Sequence, residues 1–297
     1  MKEIVAINGE IFDPQNAKIS VFDRGFLYGD GIYEVTRSYS GVLYALEDHI
    51  DRLFNSGRMI GLEIGIDKRA LQNELYRIYK IADPAQDNLY MRVIITRGEG
   101  KISLDTSSAT KPNTVVIVRH LEKIDPSLYT SGMNIIAAKT QRNPKKSLDP
   151  NIKSGNYLNN VLALAEAKKA GAHDAMMVNR DGFVTEGTTW NIFIVKDQAL
   201  ITPPDDADIL QGITRKTLRA ICKSNDIKWL ERQFTIEEAK KADECFATGT
   251  IKEVMAIRSI DGVAVGSGSP GPPGPMTLKI AQLYKKHVAD YCKTARG

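Results

Sequence analysis

Val184-Thr185-Glu186-Gly187-Thr188-Thr189-Trp190-Asn191-Ile192-Phe193-Ile194-Val195 reads as two strands with a carboxylate between them. The strands are Phe183–Thr185 and Asn191–Val195, rich in the β-branched and aromatic residues that strands favour. A strand at Ala175–Asn179 precedes them across the turn Arg180-Asp181-Gly182. Another, Ala199–Thr202, follows across Lys196-Asp197-Gln198. Upstream, helical spacing runs from Ser154 to Ala170 and stops at Gly171. Downstream, a helix spans about Ile213–Ser224, followed by strands at Ile227–Glu231, Cys245–Ala247 and Val254–Ile260. Ser267–Pro275 is Gly- and Pro-rich and reads as a surface loop before a last helix, Met276–Tyr291. Strands mixed with helices, without strict βαβ alternation, give an α+β (mixed α/β) fold.

The first half opens on a hairpin. Ile4–Ile7 and Glu10–Phe12 flank Asn8-Gly9, a strong short-range hairpin signal. A strand near Ile32–Ser40 turns at Gly41. Leu46, Ile50, Leu53 and Phe54 mark a helix over Leu46–Met59, and Asp67 caps a second helix that runs to about Ile81. Leu89–Thr96 and Thr114–Arg119 read as strands. His120–Thr130 lacks a clear period and contains Asp125-Pro126. The 297 residues are comfortable for two domains. The expected division is an N-terminal α/β domain over 1–120, a linker over 121–130 and a C-terminal domain over 131–297.

Composition removes several function classes. The net charge of +4 comes from 40 Lys+Arg against 36 Asp+Glu, spread along the whole chain, so there is no basic stripe for nucleic acid. The three cysteines, Cys222, Cys245 and Cys292, are widely spaced and free of CxxC pairing, which argues against a disulfide framework and a zinc site. The N-terminus carries no signal-peptide pattern. No apolar run approaches the ~20 residues that span a bilayer. The expected location is the cytoplasm, with neither membrane nor nucleic-acid partners. Rossmann, P-loop, GxSxG and HExxH signatures are missing.

The chemistry must then come from scattered residues. Lys153 lies where an irregular segment enters the predicted helix, with Ser154 as a cap. The positive end of a helix dipole disfavours an ammonium and suits a lysine that must act as a neutral amine. The bland alternative, a solvated lysine, is not overturned by position alone. Gly212-Ile213-Thr214 begins a helix whose exposed N–H groups make an anion seat. Thr248-Gly249-Thr250 ends a strand with two hydroxyls and a glycine, a second phosphate cradle. Simple capping explains either of these in isolation. Glu186 alone could be a surface carboxylate.

Taken in order, these pieces resemble the class IV aminotransferases, the fold-type IV pyridoxal phosphate enzymes. The resemblance runs from Val21-Phe22-Asp23-Arg24-Gly25-Phe26-Leu27-Tyr28-Gly29-Asp30-Gly31-Ile32-Tyr33-Glu34 through His49-Ile50-Asp51-Arg52-Leu53 to Ile152-Lys153-Ser154-Gly155-Asn156-Tyr157-Leu158-Asn159. It continues at Thr185-Glu186-Gly187, Asn191-Ile192-Phe193, Leu210-Gln211-Gly212-Ile213-Thr214-Arg215 and Thr248-Gly249-Thr250. It implies that Lys153 holds the cofactor as a Schiff base and acts as general base and acid. Glu186 would pair with the pyridine nitrogen. Arg52, Ile213, Thr214 and Thr250 would hold the phosphate, and Tyr157 would reach the phenolic oxygen. Amino acids and 2-oxo acids are the implied substrates. A homodimer is implied too, with Tyr28 and the Leu104-Asp105 loop reaching the neighbouring subunit.

The family includes branched-chain and D-amino-acid aminotransferases and aminodeoxychorismate lyase, which uses the same lysine to eliminate pyruvate. Tyr90-Met91-Arg92 resembles the branched-chain pattern, in which the arginine receives glutamate's distal carboxylate. Tyr28 and Arg37 match that pattern too. Ile102 and Leu104 stand where D-amino-acid enzymes carry an Arg-x-His trap. Tyr33-Glu34-Val35 instead reads like the D-amino-acid enzymes. After Thr250, Ile251-Lys252-Glu253 departs from the small residues that branched-chain enzymes favour, and this puts a lysine beside the expected α-carboxylate loop. The expected pocket is Tyr28, Tyr33, Arg37, Tyr90, Arg92, Thr250 and Ile251. L-branched-chain transamination with 2-oxoglutarate is the leading expectation, and D-amino-acid transamination and the lyase reaction stay open.

Overall fold

A computed structural model describes residues 3–82, 88–266 and 272–296. Its contacts divide the chain into two compact units: Met1–Glu122 with Ile152–Asn156 and Ala289–Gly297, and Lys123–Asn151 with Tyr157–Val288.

The first unit contains β1 (Ile4–Ile7), β2 (Glu10–Phe12), α1 (Arg24–Tyr28), β3 (Gly31–Tyr39), β4 (Val42–Leu43), α2 (Leu46–Met59), α3 (Lys68–Ile81), β5 (Leu89–Thr96) and β6 (Asn113–His120). The strands form one sheet, ordered β2-β1-β6-β5-β3-β4, with every pairing antiparallel. Asn8 and Gly9 both adopt positive φ, 52° and 87°, as a tight hairpin turn needs. Successive side chains of a strand point to opposite faces. One face of β5 therefore buries Leu89, Met91, Val93 and Ile95 against Leu46, Ile50 and Leu53 of α2 and Leu71, Leu75 and Ile78 of α3. The other face presents the half-buried Tyr90, Arg92 and Ile94. The Asp67 carboxylate caps α3 by accepting from Ala70 N at 2.8 Å.

The second unit contains α4 (Ser127–Ser131), β7 (Met133–Ala137), α5 (Leu158–Lys169), β8 (Asp174–Val178), β9 (Val184–Gly187), β10 (Asn191–Lys196), β11 (Ala199–Thr202), α6 (Ile213–Ser224), β12 (Trp229–Glu231), α7 (Ile236–Lys240), β13 (Glu244–Gly249), β14 (Glu253–Ile260), β15 (Val263–Ala264) and most of α8 (Pro275–Thr294). Its sheet runs β12-β11-β10-β13-β14-β7-β8-β9, and β9 pairs again with β10. The sheet thus closes on itself, and the closing contact is a single residue pair, Glu186 with Asn191. Parallel pairs (β7 with β8 and with β14) sit among antiparallel ones, the mixed architecture expected.

Three local readings are corrected. The helix expected from Ser154 begins at Leu158 with Tyr157 as its N-cap, so Ser154 is not a cap and Lys153 is not in a first turn. Instead Tyr33 N donates to Lys153 O at 2.8 Å and Gly155 N to Gly31 O at 3.1 Å, which lays the 152–155 segment along β3. The helices α1 and α7, five residues each, are too short to show a period in the sequence. The expected connection at 121–130 carries α4.

The unit bounds also differ from the expected domain bounds of 120 and 131. Residues 152–156 join the first unit through the β3 contacts. The chain end does so where the Tyr291 ring packs edge-on to Tyr44, with centroids 5.1 Å apart. Part of the expected Gly/Pro loop, 267–271, lies outside the described residues.

Two glycines with positive φ separate backbone strain from crowding. At Gly61 (φ +57°) a Cβ would stand in open space, whereas at Gly98 (φ +85°) a Cβ would collide with the Lys111 carbonyl. Gly61→Ala should cost about 1 kcal/mol in urea unfolding, the backbone penalty alone. Gly98→Ala should cost at least ~2 kcal/mol more, because the obstacle is backbone. Equal losses would mean that the carbonyl yields.

Candidate active site

Lys153 takes its place from backbone contacts on both sides. Its carbonyl accepts from Tyr33 N, and its amide donates to Ser56 Oγ at 3.1 Å. That hydroxyl in turn donates to Arg52 O at 3.0 Å on α2. The Lys153 ammonium sits 4.6 Å from the centroid of the Tyr33 ring. The Arg92 guanidinium lies 3.9 Å from the same centroid. The first unit therefore brings Tyr33, Arg92 and Lys153 together, with two cations over one aromatic platform.

The other expected residues of this unit are placed as follows. Arg37 is 7% exposed; it donates to Asn88 Oδ1 at 2.7 Å, and its guanidinium is 4.3 Å from the Tyr39 centroid. It pairs across the ladder with Tyr90, whose ring lies 5.3 Å from the Arg119 guanidinium. Tyr28 ends α1, with its ring 5.0 Å from the Arg24 guanidinium. Arg24 also donates to the carbonyls of Ser103, Leu104 and Asp105, which fixes the loop that carries Ile102 and Leu104.

Arg52 is held by a residue that sequence reasoning did not single out. Glu34, on the core face of β3, accepts from Arg52 Nε at 2.5 Å and Nη2 at 2.9 Å. His49 Nδ1 lies 2.7 Å from Glu34 Oε2. Burial pushes the Glu34 carboxyl up, but the Arg52 charge and hydrogen bond override it and hold Glu34 well below the usual carboxylate range. Burial pushes His49 down, against the pull of Glu34. The available signal was positional: Glu34 is a charge on the strand face shared with Ile32.

In the second unit Glu186 is 5% exposed. Its Oε1 accepts from Arg142 Nε at 2.9 Å. Its Oε2 accepts from Leu210 N at 3.0 Å and Asn191 Nδ2 at 3.3 Å. Asn191 Nδ2 also donates to Leu210 O at 2.9 Å. A Cβ on Gly212 would collide with Asn191 Oδ1 and displace the side chain that bonds Glu186 and Leu210 O. Gly212 is the N-cap of α6 and offers no side-chain cap. The first-turn N–H groups of Ile213 and Thr214 have no acceptor one turn earlier in the helix, which makes an anion seat. Thr248 pairs with Asn191 across the ladder, and its Oγ1 is buried without a partner.

The second unit therefore gathers Glu186, Asn191, Ile213, Thr214 and Thr248. Thr250 and Ile251 follow in the β13–β14 turn, half-buried, and Tyr157 caps α5. Sequence reasoning missed Arg142, which sits in an irregular segment where no period marks it.

In the second unit, the buried Glu186 carboxylate, the helix start without a side-chain cap and the Thr248 hydroxyl suit the ring nitrogen and the phosphate of pyridoxal phosphate. In the first unit, the anchored Lys153 suits its aldehyde. Among the described residues, no group of His, Cys, Asp or Glu is placed to hold a metal, and no helix is long and apolar enough to cross a membrane.

Replacing Glu34 tests the buried network. The carboxyl binds its proton less tightly in the folded state than in the unfolded one. Its contribution to stability is therefore complete above the ordinary glutamate value of 4.5 and is lost as pH falls below it. Glu34→Gln should cost about 3 kcal/mol near neutral pH, since it leaves Arg52 without its charge partner. Urea unfolding should also show a shallower loss of stability toward acid in the variant. Equal acid slopes would mean that Glu34 does not carry this charge.

The class IV aminotransferase family profile matches residues 31–260. A Methanocaldococcus jannaschii protein, provisionally named a branched-chain-amino-acid aminotransferase, is 37% identical over 95% of each chain. A D-alanine aminotransferase of Bacillus licheniformis is 34% identical over 90% of this chain and 92% of its own. Among solved structures, the branched-chain aminotransferase of Thermoproteus uzoniensis with norvaline superposes with a TM-score of 0.88 at 31% identity, covering 96% of this chain and 94% of that one. Similarity of this extent, covering the lysine, carboxylate and helix-start segments alike, establishes that the chain belongs to the class IV aminotransferases.

Proposed function

We propose that this aminotransferase moves amino groups between L-branched-chain amino acids and 2-oxoglutarate, with Lys153 as the residue that carries pyridoxal phosphate. The observation that carries the proposal is the Tyr33 platform, which places an amine and a guanidinium over one ring. When bound, the cofactor would supply an electron-withdrawing ring that stabilises negative charge at the substrate Cα. The chain's own residues do the rest. Lys153 Nζ, once neutral, takes the proton from the substrate Cα and gives it back in the opposite half-reaction. Arg52 and the Ile213 and Thr214 amides would hold the phosphate, with Thr250 adding its hydroxyl. Glu186 would keep the ring nitrogen protonated, and Arg142, Asn191 and Leu210 N fix that carboxylate in place. Tyr157 would donate toward the phenolic oxygen.

Arg92 supports the choice of 2-oxoglutarate. It projects from the half-buried face of β5, where a second carboxylate can meet a guanidinium in two parallel hydrogen bonds. Ile102 and Leu104, 72% and 82% exposed, offer no cation for an α-carboxylate trap. Transfer from D-amino acids is the second reading; the relative named as a D-alanine aminotransferase and Tyr33 support it. The protein acts as a homodimer in this proposal. Val21, Phe22 and Phe26 are exposed at 62%, 51% and 72% beside the Arg24-held loop of Ile102 and Leu104. This is apolar surface of the kind that a second copy covers.

Two measurements test the reading. Adding L-leucine or L-glutamate to the holoenzyme should bleach its visible absorbance, whereas bleaching only with D-alanine would replace the substrate assignment. Arg92→Leu should raise KM for 2-oxoglutarate about 10- to 100-fold, the worth of a charged hydrogen-bond pair. KM for leucine, which has no distal carboxylate, should change little. Equal effects on both would remove Arg92 from the distal-carboxylate role.

A further inference from the structure

The β13–β14 hairpin closes over Thr250, Ile251 and Lys252, between the paired residues Gly249 and Glu253. Glu253 has a φ of 56°. That left-handed conformation crowds the Cβ of any L-residue, and glycine usually fills it. A non-glycine residue keeps it only where neighbouring contacts hold the turn. Lys252 supplies such a contact. Its Nζ lies 3.3 Å from Asp174 Oδ2, at the first residue of β8. Asp174 is 4% exposed, and its other oxygen is engaged as well. Oδ1 accepts from Thr188 Oγ1 at 2.6 Å and from Ala175 N at 2.8 Å. Thr188 lies in the tight turn between β9 and β10, two residues beyond Glu186. Its carbonyl accepts from Asn160 Nδ2 of α5 at 2.7 Å. One buried carboxylate therefore ties the 250–252 turn to the turn that follows Glu186.

We propose that Lys252 and Asp174 form a positioning tether. It holds the Thr250–Lys252 turn in its strained form so that the turn's backbone and the Thr250 hydroxyl, rather than the Lys252 ammonium, receive the substrate α-carboxylate. This rests on the reading of Thr250 and Ile251 as substrate residues. It also resolves the departure at Lys252, where the resemblance leads one to expect a small side chain. The Lys252 cation is matched by the Asp174 anion, so the turn gains an anchor and the pair adds no net charge to the pocket. Removing only the lysine does double damage. It frees the strained turn, and it leaves the Asp174 charge unpaired near a site that must take an anion.

The test uses the holoenzyme and two readouts. One is the kinetics with L-leucine. The other is the calorimetric Kd for 4-methylvaleric acid, which is leucine's carbon skeleton without the amine. Lys252→Met should raise KM and Kd about tenfold with kcat within about threefold of wild type. Lys252→Arg should restore most of the loss, because it keeps the ion pair. Adding Glu253→Gly to Lys252→Met should recover part of the binding, the part lost with the strained turn, since glycine holds the turn without strain, while the unpaired Asp174 charge remains. A direct carboxylate-binding role for Lys252 would not be rescued by glycine at 253. Asp174→Asn should also weaken binding, even though it retains the lysine.

Tighter binding in Asp174→Asn, or no recovery with Glu253→Gly, overturns the tether. Failure of the wild type to turn over L-leucine while it turns over D-alanine overturns the substrate reading instead. The same variants, measured with D-alanine, then decide the tether separately.

Discussion

Glu34 carries its negative charge into the core of the first unit, where an unpaired carboxylate would be prohibitively costly. It is tolerated because Arg52 and His49 meet it from α2, and that requirement fixes how the helix lies on the sheet. Alternation along β3 does the rest. With Glu34 facing α2, its neighbour Tyr33 must face the other way, toward Arg92 and the Lys153 ammonium. The same strand edge binds the Lys153 backbone, and Ser56 joins that backbone to the turn of α2 that contains Arg52. A single buried charge therefore sets the register of Arg52, the aromatic platform and the lysine together.

The second unit relies on a different constraint. Its sheet closes through one residue pair, and the two members of that pair are Glu186 and Asn191. Where a ladder thins to one pair, side chains and backbone groups are left for other work. Glu186 is engaged by donors from an irregular segment, a strand and a loop, so its carboxylate is fixed without lying in a regular ladder. The Gly187–Trp190 turn that makes this closure is tight: Gly187 N donates to Trp190 O at 2.8 Å, and a Cβ on Gly187 would collide with the Trp190 indole. The glycine is needed for the indole to pack, and the packing holds the carboxylate's neighbours.

Much of this was legible in the sequence, for reasons that differ by element. Periodicity identified α2, which buries one face against a sheet, and α3 was readable from its cap, Asp67. The strands were legible from β-branched runs set between turns. The start of α5 was misread because Ser154 looks like a cap, while the chain there is pinned to β3 by backbone bonds that no side-chain pattern announces. Lys153, Glu186 and Arg52 stand out in the sequence only as members of an ordered set, each being unremarkable alone. Glu34, Arg142 and Asp174 were not found. Each acts by touching a residue distant in sequence, and a local pattern carries no trace of a partner 18, 44 or 78 residues away.

The central claim is that Lys153, placed by the β3 edge, is the lysine that carries the cofactor. Borohydride reduction of the holoenzyme makes the lysine–cofactor linkage permanent, and peptide mass spectrometry then locates it. The account predicts a phosphopyridoxyl label on the peptide that contains Lys153 and on no other lysine. A label on a different lysine, or an unlabelled Lys153 peptide from fully loaded protein, would contradict it.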